Sequence, residues 1–199
     1  MGLIGVIPIV GAINLLGWTL ATTDMVRSGW KELPPAGFQH LQRGVAPFVV
    51  SLLYGLVLGA SLFVLVFLTV FFATSGRAGA LLAVGLGLLS ILVFLAWWLI
   101  SLYLFGALMM ASDRLGIAKA LDPLRLFALA RANHEISLHI AVIYGMASIA
   151  AAAIGIALAF IIPFGGGILV SLALPVVYAL VVPSLAGFRV EPATAMASP

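Results

Sequence analysis

Apolar residues fall into long runs broken by short polar stretches, and that alternation sets the expectation for the fold. The runs cover residues 2–22, 45–72, 80–111, 140–162 and 168–188. Each reaches or exceeds the roughly 20 helical residues that cross a hydrocarbon core. An all-α chain is predicted: a polytopic transmembrane helical bundle of about five membrane segments, with interfacial amphipathic helices in the two longer polar connections.

Within the runs, the breakers and the small residues carry the detail. Pro8 and Gly11 interrupt the first run, which predicts a kinked span or a re-entrant hairpin. The run has no basic lead-in and no small-residue cleavage site, so it does not read as a signal peptide, and its abrupt start points to a segment upstream. Ser51, Gly55 and Gly59 follow at four-residue intervals in the second run. In the fourth, Ala147, Ala151, Gly155 and Ala159 form the same kind of ridge, and small residues so spaced let helices approach closely. The third run is too long for one perpendicular crossing, and its last turns are expected to protrude or to bend at Gly106. Pro175 and Pro183 predict a kink or an early end in the fifth run. Turns are expected at Thr74-Ser75-Gly76 and at Gly165-Gly166-Gly167.

The two polar connections are 23–44 and 112–139. In the first, Leu33-Pro34-Pro35 stops any helix, and residues 36–43 could form two surface turns closed by Gly44. In the second, Asp122-Pro123 is a helix start. Leu124, Phe127 and Ala128 recur at helical spacing, and Asn133 is expected to end the helix in a left-handed conformation. A short amphipathic helix tied to spans at both ends belongs at the membrane–water interface, with Leu124 and Phe127 in the acyl boundary.

Composition narrows the class. Apolar residues make up 64% of the 199 residues and charged residues 8%, too few to coat a soluble globule. A single transmembrane domain over 1–189 is expected, followed by a disordered tail over 190–199. There is no cysteine, which removes disulfides, thiolate metal sites and cysteine nucleophiles.

Charge adds an orientation. Arg27, Lys31, Arg43, Arg114, Lys119, Arg125, Arg131 and Arg189 lie on one side of the predicted bilayer, against Arg77 alone on the other. Both long connections and the C-terminus are therefore expected in the cytoplasm, in a plasma membrane. The first seven of these cations also stand where lipid headgroups would lie. The net charge of +3 is an orientation signal and not a nucleic-acid footprint.

Chemistry-bearing patterns are few. No Asp, Glu, Lys or Arg lies in the core of a run, which argues against ion or proton coupling. His134 and His139 are five apart and do not share a helix face as paired metal ligands do; with His40 they read as interfacial. Asp24 and Arg27 are spaced as a helix-end ion pair. Asp24-Met25-Val26-Arg27-Ser28-Gly29 has an echo in Asp113-Arg114-Leu115-Gly116, which suggests two span–loop–span units. Nucleophile elbow, phosphate loop, zinc helix and dinucleotide fingerprint are all missing, so no cofactor, no metal and no enzymatic activity are expected.

Gly17-Trp18, Arg27-Ser28-Gly29, Glu32-Leu33-Pro34 and Arg43-Gly44 together resemble an uncharacterised domain-of-unknown-function family of small multi-pass membrane proteins from bacteria and archaea. The break at Asp113-Arg114, the helix over 118–129 and Arg131-Ala132-Asn133 look similar to that family's second half. Pro35-Ala36 and the lack of a charged lead-in depart from it. The resemblance implies a multi-pass topology and important polar connections, and carries no chemistry. Taken together, the expectation is a non-enzymatic accessory or structural subunit. It would work in the lipid bilayer through helix contacts with other membrane subunits or with itself. The alternative is a small permease or lipid-handling transporter built around the proline-interrupted runs.

Overall fold

The computed structural model describes residues 8–29, 33–35, 37–159 and 165–190, with the backbone alone at Pro8, 155–159 and 165–174. Every regular element among them is helical: α1 (Pro8–Arg27), a 3-10 turn (Phe38–His40), α2 (Leu41–Ala73), α3 (Gly76–Arg114), α4 (Ile117–Ala120), α5 (Pro123–Ala132), α6 (His134–Ala159) and α7 (Gly165–Gly187). Four helices are long and apolar enough to cross a bilayer, namely Ile9–Arg27, Phe38–Ala73, Gly76–Arg114 and His134–Ile154. The fifth run contributes a shorter apolar stretch, Pro175–Gly187. Length and apolarity are those of a membrane protein.

Several expected interruptions are absorbed into helices. Pro8 opens α1, where its missing N–H costs nothing, so the described part of the first run is one helix and not a hairpin. Pro175 and Pro183 both sit inside α7, which continues to Gly187. Gly165, Gly166 and Gly167 form the first turn of that helix and are not a loop. The third run forms a single 39-residue element through Gly106. Gly106 is a seat for neighbours: a methyl group there would lie 2.9 Å from Ile140 Cδ1 and 3.2 Å from the ring of Phe188.

The chain divides into two compact units, Ser51–Ser101 and the remainder. Ser51–Ser101 is a helical hairpin turning at Thr74-Ser75. Gly76 takes φ +81°, a left-handed conformation that favours glycine. Ser75 donates its backbone N–H to Phe72 O, and a methyl at Gly79 would collide with that same carbonyl at 2.4 Å. Tyr54 and Trp97 pair across the hairpin at 6.3 Å between ring centres. Its outer surface is apolar and open, with Phe63 72% and Leu81 78% exposed.

The other unit joins α1, the start of α2, the end of α3, and α4 to α7. Helix α7 packs along both α6 and α1. Its core includes Leu20, Val50, Met109, Met110, Leu126, Ile140, Val181, Leu185 and Phe188. Buried hydroxyls are satisfied locally: Thr19, Thr22 and Thr23 each donate to the carbonyl four residues back at 2.8 Å. Phe105, Tyr144 and Tyr178 from three helices stack edge and face, with ring centres 4.9 to 5.9 Å apart.

Candidate functional site

The polar residues of this unit gather where α1 ends, α2 begins and α3 ends. Two glycines make the gathering possible. A methyl at Gly44 would lie 1.7 Å from Ile13 O, and one at Gly17 would lie 1.9 Å from His40 O. The backbones of α1 and α2 therefore touch at Gly17 and Gly44. Gly44 is not the stop expected of it, since the 3-10 turn runs directly into α2. Beside this crossing, Trp18 Nε1 donates to Pro34 O at 3.1 Å and ties the incoming loop to α1.

That approach brings Arg43 between two carboxylates. Its Nε donates to Asp113 Oδ1 at 2.8 Å, and its Nη2 donates to Asp113 Oδ2 at 2.7 Å and to Asp24 Oδ2 at 2.6 Å. Arg114 pairs with Asp24 Oδ1 and lies 3.2 Å from Asp113 Oδ2. All four carboxylate oxygens thus face a guanidinium, and two negative charges meet two positive ones. Geometry of this kind holds α1, α2 and α3 together with no net charge at the edge of the apolar layer, where an unmatched ion is costly.

Arg27 does not pair with Asp24 in the expected fashion. It reaches α7 instead and donates to Leu185 O at 3.1 Å, Ala186 O at 2.8 Å and Phe188 O at 2.5 Å. The last carbonyls of a helix lack donors four residues on, Leu185 O here also accepting from Phe188 N at 3.1 Å, and a cation there complements the helix dipole. Asn133 fastens the next residues. Its side-chain amide donates to Arg189 O and Leu129 O, both at 3.0 Å, and Arg189 N donates back to Asn133 Oδ1 at 2.9 Å. Asn133 has φ −116° and not the left-handed angle expected, because its side chain carries the closure. The start of α5 is as expected, with Asp122 Oδ1 accepting from Leu124 N and Arg125 N.

The residues singled out by sequence divide into groups. Arg27, Arg43 and Arg114 are committed to protein groups rather than left to headgroups. Lys119 and Arg131 are exposed and Arg125 is half-buried; Lys31 lies outside the described residues, as does Glu32. Ser51, Gly55 and Gly59 are exposed, and methyl groups at the two glycines would meet open space. Ala147 and Ala151 are half-buried on α6, and the surroundings of Gly155 and Ala159 lie outside the description. The expected tail over 190–199 is also outside it, apart from Val190. Helix α5 has two apolar faces. Leu126, Leu129 and Ala130 are buried against protein, whereas Leu124 and Phe127 are 80% and 43% exposed. The second face is the one its periodicity had suggested, and the first was missed.

The family model described as "Protein of unknown function (DUF4013)" matches residues 1–170. The chain belongs to that family. The matched segment contains Gly17, Trp18, Asp24, Arg27, Arg43, Gly44, Asp113, Arg114 and Asn133, the side chains and glycines that build the polar cluster. The carbonyls capped by Arg27 and the backbone held by Asn133 lie beyond it. Comparison with curated proteins and with solved structures finds no match.

Proposed function

We propose that this DUF4013 protein is a five-span subunit of the plasma membrane, without catalytic activity, that acts by helix contact with another membrane subunit or a second copy of itself. The observation that carries this reading is the open small-residue face of α2. Ser51, Gly55 and Gly59 lie exposed in line on a helix whose neighbouring side chains are bulky and apolar, and neither glycine is filled by a neighbour. In lipid, such a face gains from close approach of another helix through dispersion and weak backbone contacts. The charge cluster supports the same reading, because its carboxylates are occupied by arginines and present no free base.

Replacing Gly55 and Gly59 by Leu should leave the melting temperature in mild detergent unchanged, since both positions are open. The parent should run as a larger species when solubilised from its native membrane, and the same change should abolish that species. Unchanged complex size in the double variant would remove the α2 face from the proposal.

The polar cluster is proposed to face the cytoplasm, supported by the lysine and arginine bias. A reporter fused after Arg77 or Gly166 should be active outside the membrane, and one after Lys119 or Pro199 inside. The inverse pattern would reverse the orientation.

A further inference from the structure

The corner between α5 and α6 and the chain leaving α7 enclose an open depression of about 450 Å³. Its lining includes Arg131, Asn133, His134, Glu135, Gly187 and Arg189. Two guanidiniums against one carboxylate leave it cationic even with His134 neutral. The walls are held by contacts already made within the protein. Asn133 grips the Arg189 backbone from both sides, Arg27 caps the end of α7, and His134 Nδ1 shares a hydrogen bond with Tyr103 Oη at 3.0 Å. A frame so tied presents the arginines without much further ordering on binding.

The depression continues into an apolar surface. Leu124, Phe127 and Arg131 occupy positions i, i+3 and i+7 of α5 and are all exposed. An apolar stripe therefore leads directly to a cationic pocket. That sequence of surfaces, hydrocarbon and then phosphate, is the chemistry of a phospholipid. Arginine forks match phosphate oxygens, and the surplus positive charge favours a headgroup carrying no ammonium.

We infer that this pocket binds the phosphate of an anionic phospholipid whose acyl chains lie along Leu124 and Phe127. The inference rests on the proposed membrane topology, which the reporter fusions test separately. The experiment uses the full chain in nanodiscs of phosphatidylcholine doped with phosphatidylglycerol, followed by native mass spectrometry of the lipid retained. The parent should keep phosphatidylglycerol in preference to phosphatidylcholine. Each arginine removed from Arg131→Gln/Arg189→Gln should lower that preference about tenfold, the effect of losing one charge-assisted hydrogen bond to the phosphate. Both side chains are exposed, so the double variant should melt like the parent. Lys119→Gln/Arg125→Gln, which loses the same charge away from the pocket, should retain the preference. Equal loss in the two double variants would reduce the effect to general surface charge and overturn the site. Absence of any preference in the parent would overturn it as well. Displacement of the lipid by millimolar inorganic phosphate would assign the pocket to a free anion and overturn the lipid.

Discussion

Replacement of Arg43 by Leu is expected to destabilise the protein by about 2–3 kcal/mol, read as a lowered melting temperature in detergent. The figure lies between the limits for exposed and buried pairs. Exposed ion pairs contribute up to about 1 kcal/mol, and breaking a buried pair costs about 3–5 kcal/mol by leaving a charge without a partner. The Asp113 side chain is only 9% exposed while Arg43 is 30% exposed, so the site sits between the two. Arg43→Lys should recover part of the loss, because one ammonium cannot satisfy both oxygens of Asp113 and one of Asp24 together. Adding Asp24→Asn and Asp113→Asn to Arg43→Leu should restore more stability than Lys does. The cost comes chiefly from unmatched carboxylates, and the remaining Arg114 is 42% exposed and can find other partners. If the triple variant melts no higher than Arg43→Leu alone, the cluster holds the helices by packing and not by charge.

Much of the helical framework was legible because apolar runs of this length have few alternatives. The positions of the helices follow from the runs, the start of α5 from Asp122-Pro123, and the hairpin turn from Thr74-Ser75-Gly76. What sequence could not supply was the direction of each polar side chain. Asp24 and Arg27 have the spacing of a local pair, yet Arg27 finds three carbonyls at the end of α7, a partner more than 150 residues away. No local pattern marks that pairing. Arg43 and Asp24 likewise meet only because α1 and α2 cross closely. The prolines did not end the helices. Pro8 is harmless at a helix start, and Pro175 and Pro183 are accommodated inside α7, where neighbouring elements rather than local rules decide the outcome. The two-sided nature of α5 was half visible. Leu124 and Phe127 gave a period, while Leu126 and Leu129 gave a second one offset by two residues, and only packing shows which face is buried.

The glycines provide the sharpest separation between residues that look alike in sequence. Gly44 and Gly55 both lie inside α2, and an alanine at either would improve helix propensity by up to about 1 kcal/mol. At Gly55 nothing opposes that gain, so Gly55→Ala should melt at or slightly above the parent. At Gly44 the new methyl would stand 1.7 Å from Ile13 O and 2.9 Å from Gly17 N, both backbone atoms that cannot rotate away. Only a displacement of α1 from α2 could make room. Overpacking of flexible cores costs about 1–3 kcal/mol, and a clash between two backbones belongs at or above the top of that range. The clash therefore outweighs the propensity, and Gly44→Ala should lose about 3 kcal/mol or fail to accumulate. The displacement would also draw Arg43 away from Asp24, so Gly44→Ala combined with Arg43→Leu should cost less than the sum of the two changes. Fully additive melting losses would mean that the crossing and the charge cluster are independent, and the view of Gly44 as the feature that delivers Arg43 to its carboxylates would fall.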